Sequence, residues 1–310
     1  FEAHPNSTTF THLKILYGLG FRRISLGVQD FNPKVLAAIN RTQNFNQVEN
    51  ITRLAKEIGY SSVNYDLIYG LPFQTRKGII STLKKVITLR PDRIAFYSYA
   101  YVPWIKPAQR GFSESDLPVE QGKQALYEIG NEKFTDVGYE EIGMDHFVLR
   151  KDALYRASHS KKLHRNFMGY TDSHTKLLIG LGASAISDAW YGFVQNGKTI
   201  EEYYKKIQEG KPPFFRGHIL SSEDIILRKH ILNIMCNMET SWALPEEQCD
   251  AFYEGLNRLK EMEDDNLITI TPYHLKIKKE GKLFMRNVCM AFDARLWRHQ
   301  PQTQLFSAVI

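Results

Sequence analysis

Strand-like and helix-like segments alternate along the first hundred residues of the chain. Apolar runs at 22–28, 61–69 and 93–101 are typical of strands, and the segments between them carry apolar residues at helical spacing. Strands that are joined through helices pair in parallel, with right-handed crossovers, because the helix carries the chain back to the edge where the strand began. The alternation therefore predicts an α/β fold built on a parallel sheet.

Capping residues indicate where these helices begin and end. Asn32 is an N-cap residue directly before a proline, and Thr75 can cap a later helix that a proline closes. Between them, residues 46–58 carry one apolar face, and Gly59 follows as the stop. These signals predict three helices in the order that the strand pattern requires.

Polar side chains stand near the ends of the three strands. Gln29 and Asp30 follow the first, Asp66 lies within the second, and Tyr99 lies near the end of the third. Ligands of parallel sheets bind at the carboxyl ends of the strands, so this edge is predicted to be a binding site. Asp66 has two interpretations that the residues leave open: it binds a ligand hydroxyl, or it positions the loop that follows.

The pattern changes beyond the first third of the chain. Residues 139–148 and 177–187 are strand-like, residues 267–278 read as a hairpin, and residues 282–297 read as a final helix. Helices followed by a hairpin suggest a small winged-helix-like domain. We expect a domain boundary between residues 215 and 216, with an α/β part at 1–215 and a mostly helical part at 216–310.

Composition excludes several classes of protein. Hydrophobic and charged residues make up 43% and 24% of the 310 residues, which are globular values, and no apolar run is long enough for a membrane span. Cys236, Cys249 and Cys289 are too dispersed for a disulfide framework or a metal site and suit a reducing cytoplasm. The net charge of +6 favours an anionic partner, but no basic block indicates nucleic acid. The first residue is Phe, so we expect the N-terminus to be a cut.

Several motifs together resemble one family. They are GVQDFN at 27–32, NR at 40–41, NYDLIYGLPFQT at 64–75, YSYAYVP at 97–103, GMDHF at 143–147 and LHRNFMGY at 163–170. The chain resembles the oxygen-independent coproporphyrinogen III oxidases, or coproporphyrinogen dehydrogenases, of the radical SAM superfamily, from Glu2 to LFSAVI at 305–310. The resemblance implies a partial TIM-like (β/α) barrel, truncated at its N-terminus, with a mostly helical, winged-helix-like C-terminal domain.

The resemblance also implies the cofactors. A 4Fe–4S cluster would be held on a C-x-x-x-C-x-x-C loop upstream of Phe1, so this chain is expected to hold no metal and to be inactive alone. Without the resemblance, Gln29 would be interpreted as a turn residue at a strand end, and Arg41 as a surface charge at a helix end. Two molecules of S-adenosyl-L-methionine (S-adenosylmethionine) would be contacted, on the resemblance, by Glu2, Gln29, Arg41, Asp66, Ala100 and Ile186.

The implied reaction is oxidative decarboxylation without oxygen. A 5′-deoxyadenosyl radical would convert two propionates of coproporphyrinogen III to vinyls, giving protoporphyrinogen IX, in a cytoplasmic monomer supplied with electrons by a donor such as flavodoxin. His146, His164 and Arg165 can meet carboxylates, and the resemblance places Phe167 near the active site. A lone histidine is more often a structural hydrogen-bonding residue than a catalytic one. Met168 stands where many members have Gln, so a polar role is not expected there.

Three other functions fit the sequence less well. A haem-carrier relative is disfavoured, because such relatives tend to have Gln-Ser at the position of Gln29 and Asp30 and lack the GMDHF and LHRNF motifs. A barrel hydrolase that uses Asp66 and His146 would lack a clear nucleophile. DNA binding by the winged-helix-like end is disfavoured, because the final predicted helix mixes basic residues with apolar core residues.

Overall fold

The computed structural model describes residues 1–299, which form two compact units. Unit 1 covers Phe1–Arg156, and unit 2 begins at Ala157. Among the described helices, none combines the length and the apolar character that crossing a membrane requires. The predicted boundary at residues 215 and 216 stays a prediction.

Unit 1 is built on a six-stranded sheet in the order β1-β2-β3-β4-β6-β5. The first four strands pair in parallel, as predicted, and β6 and β5 add an antiparallel edge. The strands are β1 (Glu2–Ala3), β2 (Arg23–Gln29), β3 (Ser62–Tyr69), β4 (Arg93–Ser98), β5 (Tyr139–Ile142) and β6 (His146–Leu149).

The helices of unit 1 begin where the capping residues predict. The Asn32 side chain accepts hydrogen bonds from the amides of Lys34 and Val35, and the Thr75 hydroxyl accepts one from the amide of Gly78. Gly59 ends its helix with φ 108°, a left-handed conformation that glycine adopts readily. The helices are α1 (Phe10–Gly18), α2 (Pro33–Ala38), α3 (Phe45–Ile58), α4 (Arg76–Leu89) and α5 (Glu120–Asp136), with 3₁₀ turns at Pro107–Gly111 and Glu114–Asp116. Helix α6 (Ala153–His159) contains the boundary between the two units.

The single strand predicted at 139–148 is wrong. Residues 143–145 form a tight turn, with Gly143 at φ 64°, so the segment folds into the hairpin of β5 and β6. The apolar residues on either side of the turn are all buried, and this hid the turn in the apolar pattern. As a result β6 lies antiparallel beside β4 and brings His146 opposite Ala95.

A buried carboxylate joins the loops at the carboxyl edge of this sheet. Asp30 is fully buried, and its Oδ1 accepts hydrogen bonds from two amides of its own loop and from the Thr82 hydroxyl of α4. Its Oδ2 accepts a hydrogen bond of 2.6 Å from Gln74, whose Oε1 in turn accepts one from the amide of Gly70. Asp30 therefore fixes the loop after β2 to the loop after β3.

Unit 2 contains three small sheets. A hairpin of β7 and β8 comes first, followed by sheets in the orders β11-β10-β9 and β12-β14-β13. The predicted hairpin at 267–278 is confirmed, whereas the segment predicted as a strand at 177–187 is mostly loop. The strands are β7 (His164–Asn166), β8 (Gly169–Thr171), β9 (Ile186–Asp188), β10 (Gly192–Asn196), β11 (Phe214–Ile219), β12 (Glu239–Ser241), β13 (Ile268–Thr271) and β14 (His274–Ile277).

The final helix predicted at 282–297 is divided in the structure. Asp293 interrupts it, because its carboxylate accepts a hydrogen bond of 3.0 Å from the amide of Leu296 and starts a new helix. The LFSAVI segment lies outside the described residues. The helices of unit 2 are α7 (Ile200–Gln208), α8 (Ser222–Asn237), α9 (Asp250–Arg258), α10 (Lys260–Asp264), α11 (Met285–Ala291) and α12 (Ala294–Arg298), with 3₁₀ turns at Pro245–Glu247 and Glu280–Phe284.

We predict that Asp30→Asn destabilises the fold by about 2–3 kcal/mol. The new NH₂ group would face the Gln74 NH₂ group, or would leave the loop amides without their acceptor. Urea denaturation followed by circular dichroism measures the free energy of unfolding. Asp136→Asn is the control, because that side chain is exposed and its nearest cation is 3.8 Å away. Equal unfolding midpoints for the two variants would contradict the role given to Asp30.

Candidate functional site

The two faces of the sheet of unit 1 differ in chemistry because neighbouring residues of a strand point to opposite sides. On β3, Val63, Tyr65 and Leu67 are fully buried against helices, whereas Asn64 and Asp66 lie on the other face. The parallel register extends this second face across the neighbouring strands. We call it the polar face; its residues include Glu2, Ser25, Gln29, Asn64, Asp66 and His146.

Asp66 is held by two neighbours on the polar face. Its carboxylate accepts a hydrogen bond of 2.7 Å from the Ser25 hydroxyl and one of 2.8 Å from the Asn64 amide. Burial raises the pKa of Asp66 above its ordinary value, although both hydrogen bonds act in the opposite direction. A carboxylate in this state is a strong acceptor for a ligand hydroxyl.

Arg41 follows helix α2, and its side chain reaches strand β2 close to Asp66. Its Nη1 donates a hydrogen bond of 2.7 Å to the carbonyl of Gly27, and a Cβ added to Gly27 would stand only 3.3 Å from both Nη atoms. Burial lowers the pKa of Arg41, and the charge of Asp66 opposes that shift. A guanidinium and a carboxylate therefore share this part of the polar face, with the glycine leaving room for the guanidinium.

Gln29 and Asn64 of the polar face each leave a buried side-chain oxygen without a hydrogen-bond partner in the described part of the chain. The φ of Gln29, 64°, is left-handed, which is uncommon for a residue other than glycine. Its side-chain Oε1 is buried and has no hydrogen-bond partner within residues 1–299. Buried polar atoms are nearly always satisfied, so this oxygen is available to accept a hydrogen bond from a ligand.

His146 belongs to the same face through the register of the sheet. It lies opposite Ala95 on β4, and Ala95 lies opposite Asp66 on β3. Its Nδ1 lies 2.6 Å from the Asp145 carboxylate, which orients the ring, and its charge interaction with Asp66 lowers the pKa of Asp66. The sequence grouped His146 with His164 and Arg165, but those two residues belong to unit 2.

Ala100 is the remaining predicted cofactor-binding residue of unit 1, and only its backbone carries polar groups. Ala100 is exposed in the loop after β4, and its carbonyl accepts a hydrogen bond of 2.9 Å from Gln109. The buried Gln109 side chain also accepts a hydrogen bond of 2.6 Å from the amide of Val102. The loop is thus held in one conformation by a side chain, and the side chain of Ala100 supplies no polar group.

The polar face fits a ligand that carries hydroxyls and both signs of charge. The carboxylates of Glu2 and Asp66, the guanidinium of Arg41 and the free oxygen of Gln29 match the ribose, ammonium and carboxylate groups of S-adenosylmethionine. The described residues do not fit an iron–sulfur cluster. Within residues 1–299 no group of three or more His, Cys, Asp or Glu side chains could hold a metal ion, and all three cysteines are free thiols.

Unit 2 contains a cavity of 390 Å³ that includes part of the LHRNFMGY motif. Three arginines line it. Arg228 and Arg295 are paired there with Asp188 and Asp224. The Nη1 of Arg165 is buried and has no hydrogen-bond partner in the described part of the chain, although the guanidinium lies 4.6 Å from the Tyr170 ring centroid. The cavity lining comprises Arg165, Asn166, Phe167, Asp188, Phe193, His218, Leu220, Asp224, Leu227, Arg228, Ile231, Leu232, Met235, Phe292, Asp293, Ala294 and Arg295.

Of the other predicted residues of unit 2, Phe167 lines this cavity. It is 54% exposed, and its ring meets Phe193 edge-to-face with centroids 5.2 Å apart. His164 is buried, and burial lowers its pKa, as does the neighbouring His174. Met168 is exposed.

Ile186 lies on β9, where its backbone closely approaches Gly180. A Cβ added to Gly180 would stand 2.7 Å from the carbonyl oxygen of Ile186. The buried Asn196 side chain donates to the carbonyls of Gly180 and Gly182, at 3.0 and 2.9 Å. The glycine-rich loop before Ile186 is therefore tightly held.

Sequence reasoning missed the pairing of Asp188 with Arg228. Arg228 falls among the apolar residues that predicted helix α8, and Asp188 ends a short strand. The two residues are 40 positions apart, and no local spacing connects them. Only the three-dimensional fold reveals this pair.

Comparison with known proteins shows which proteins this chain is similar to. The model of the radical SAM superfamily matches residues 1–86. The oxygen-independent coproporphyrinogen III oxidase of Salmonella typhimurium is 38% identical over 314 aligned residues, which cover all of this chain and 68% of that protein. The Helicobacter pylori protein of the same name is 37% identical over 95% of this chain and 66% of its own length. The solved coproporphyrinogen III oxidase of Escherichia coli, described as a radical SAM enzyme, superimposes with a TM-score of 0.88 at 38% identity, covering 95% of this chain and 69% of that chain.

We predict that Asp66→Asn changes how stability depends on pH. Burial raises the pKa of Asp66 in the folded protein above its value in the unfolded chain. At a pH between these two pKa values, Asp66 is protonated in the folded protein and ionised in the unfolded chain. The wild type should therefore lose stability as pH rises through that interval, and Asp66→Asn should not.

Urea denaturation from about pH 3 to about pH 8 measures this difference. The stability of Asp66→Asn minus that of the wild type should increase with pH and then become constant. Asp136→Asn, at an exposed carboxylate, is the control and should show no such increase. A difference for Asp66→Asn that falls with rising pH would contradict the burial argument.

Proposed function

Because the chain belongs to the family of oxygen-independent coproporphyrinogen III oxidases, we propose that it converts coproporphyrinogen III to protoporphyrinogen IX. The reaction is the oxidative decarboxylation of two propionates to vinyl groups without oxygen. The observation that carries this proposal is the likeness to the Escherichia coli enzyme, with a TM-score of 0.88 over 95% of the chain. The activity belongs to a polypeptide that also contains a cluster-binding cysteine segment, so this chain alone is proposed to be inactive.

We assign the polar face of unit 1 to S-adenosylmethionine. When bound next to a reduced 4Fe–4S cluster, this cofactor supplies the species that removes a hydrogen atom from a propionate. Asp66 accepts a hydrogen bond from a ribose hydroxyl, and Arg41 binds the carboxylate of the cofactor. The Oε1 of Gln29 accepts a hydrogen bond from its ammonium group. The free oxygen of Gln29 and the raised pKa of Asp66 support these roles.

The remaining cofactor contacts rest on the family resemblance. Glu2 is exposed on β1, opposite Ser25 in the parallel register, and its charge raises the pKa of Asp66. Ala100 and Ile186 offer backbone and packing contacts. With these residues included, we propose that the complete protein binds two molecules of S-adenosylmethionine.

Basic and aromatic side chains are proposed to bind the tetrapyrrole. Arg165 is the strongest candidate for a propionate, because the cavity around it leaves its Nη1 without an acceptor. The lowered pKa of His164 makes it a neutral hydrogen-bond donor near neutral pH, rather than a second cation. His146 is proposed to meet the reacting side chain from the polar face, and the exposed ring of Phe167 to lie against the macrocycle.

The finer architecture follows from the same assignment. We propose that β1 to β4 are part of a (β/α) barrel, with residues 1–215 forming the barrel and its sheet extension. The helical part at 216–310 is proposed to be winged-helix-like, since helices α8, α9 and α10 are interspersed along the chain with the three strands β12, β13 and β14 of one small sheet. The protein is proposed to act as a cytoplasmic monomer with an electron donor such as flavodoxin and without nucleic acid or membrane.

The direct test uses the polypeptide that includes the cysteine segment, reconstituted with iron and sulfide without oxygen. With dithionite, S-adenosylmethionine and coproporphyrinogen III, mass spectrometry should detect protoporphyrinogen IX and 5′-deoxyadenosine. Asp66→Ala should lose both products, and Asp136→Ala should keep both. Cleavage of the cofactor without a vinyl product would contradict the substrate, and tight haem binding with neither product would favour a haem carrier.

Arg165→Ala should raise the KM for coproporphyrinogen III by roughly ten- to a hundredfold, since a charge-assisted hydrogen bond is lost. The affinity for S-adenosylmethionine should change little. Arg53→Ala removes an exposed guanidinium paired with Glu57 and serves as the control. A normal KM for Arg165→Ala would remove Arg165 from the substrate site.

A further inference from the structure

Asp188 and Arg228 form a largely buried ion pair in unit 2. Two hydrogen bonds of 3.0 and 2.5 Å join the guanidinium to both carboxylate oxygens, and the side chains are only 14% and 10% exposed for Arg228 and Asp188. Buried ion pairs add little net stability compared with apolar side chains of similar volume. What such a pair contributes to the protein is a fixed geometry. The groups that Asp188 and Arg228 hold in place therefore indicate the role of this pair.

The pair closes the turn between β9 and β10. Nη1 of Arg228 also donates to the carbonyl of Trp190 at 3.0 Å, and the amide of Trp190 donates to Asp188 Oδ1 at 2.9 Å. Trp190 has a φ of 65°, a left-handed conformation that is costly for a large side chain. The turn therefore depends on the pair to keep this conformation.

The guanidinium of Arg228 also lies against two aromatic rings. Its central carbon is 4.5 Å from the ring centroid of Trp190 and 4.9 Å from that of Phe193. Phe193 lies opposite Asp188 in the antiparallel register of β10 and β9. The position of the Phe193 ring is thus set both by the sheet and by a cation–π contact.

The ring of Phe193 in turn packs against the ring of Phe167. Their rings meet at 84° with centroids 5.2 Å apart, and Phe167 is otherwise exposed. Asp188 also fixes the strand that carries Ile186, two residues earlier on β9. The ion pair between α8 and β9 therefore constrains both Phe167, which the proposed function assigns to the substrate, and Ile186, which it assigns to the cofactor.

We propose that Asp188 and Arg228 are positioning residues for the reaction. They hold Phe167, through Phe193, in the orientation that places the tetrapyrrole for attack, and they hold β9 in the register that presents Ile186. This inference rests on the proposed function. It adds that this pair, acting through Phe193 and β9, determines how often cleavage of the cofactor leads to a vinyl group.

The test compares two arginine–carboxylate pairs of unit 2, one in the lining of the cavity and one outside it. Arg228→Lys keeps the charge but loses the planar contacts with both oxygens and both rings. Arg298→Lys is the matched control, because Arg298 does not line the cavity and binds Glu223 with two hydrogen bonds of 2.5 and 3.0 Å. Both variants are made in the complete, cluster-loaded protein and compared in thermal unfolding, in kcat and KM, and in 5′-deoxyadenosine formed per protoporphyrinogen IX.

Arg228→Lys should lower kcat on the order of 10²-fold, since a small misplacement of a reacting group has effects of that size. The ratio of 5′-deoxyadenosine to product should rise, because the cofactor is still cleaved beside a misplaced substrate. Arg298→Lys should leave both values near those of the wild type. Phe193→Leu should reproduce the loss, and the double variant Phe193→Leu/Arg228→Lys should be no worse than either single variant.

The proposal is overturned if Arg228→Lys and Arg298→Lys have the same kcat and the same product ratio. It is equally overturned if the effects of Phe193→Leu and Arg228→Lys on kcat multiply, since the two residues would then act independently. Failure of the proposed function has a different signature, because the wild type itself would then form no vinyl product. Binding of coproporphyrin III to the 310-residue chain, followed by tryptophan fluorescence, gives a readout that needs no cluster, and Arg228→Lys should weaken it more than Arg298→Lys.

Discussion

The parallel pairing of β3 with β2 and β4 determines which side chains can act together in unit 1. Its register places Gly27, Asp66 and Ala95 in one row across the sheet, and β6 extends the row to His146. A shift of one residue in β3 would turn Asp66 into the helical layer and would bring Tyr65 onto the polar face. The fully buried apolar side of β3 prevents that shift, because it would expose Val63, Tyr65 and Leu67. Packing on one face therefore secures the chemistry of the other.

Buried polar groups differ in how completely the protein satisfies them. Asp30 is fully buried, and each of its two carboxylate oxygens has protein partners. By contrast, Gln29, Asn64 and Arg165 each leave a buried polar atom without a partner in the part of the chain that is described, and so do Gln43 and Asn287. Buried polar atoms are nearly always satisfied, so those that lie at a proposed site, on Gln29 and Arg165, indicate where a ligand completes the hydrogen bonding.

Local signals allowed much of unit 1 to be predicted, and long-range pairing accounts for what was missed. Asn32, Thr75 and Gly59 each act within a few residues, so the sequence could locate the helix ends. The turn inside 139–148 was hidden by buried apolar residues on both sides, and the break at Asp293 required a capping role that a helical pattern does not reveal. In the site, the position of Asp66 in a strand pointed to the polar face. The pairing of Asp188 with Arg228, and the assignment of His146 and His164 to different units, depend on contacts between distant segments. Ala100 and Ile186 were accessible only through family resemblance, because their side chains carry no chemistry of their own.

The central claim is that a complete protein containing this chain removes a hydrogen atom from the β-carbon of a propionate. The most direct measurement uses coproporphyrinogen III deuterated at those β-carbons, with the cluster-loaded protein and unlabelled S-adenosylmethionine. Mass spectrometry of the 5′-deoxyadenosine should show that it gains deuterium as protoporphyrinogen IX forms. Vinyl product accompanied by 5′-deoxyadenosine without deuterium would contradict the account, since the hydrogen atom would then come from another position.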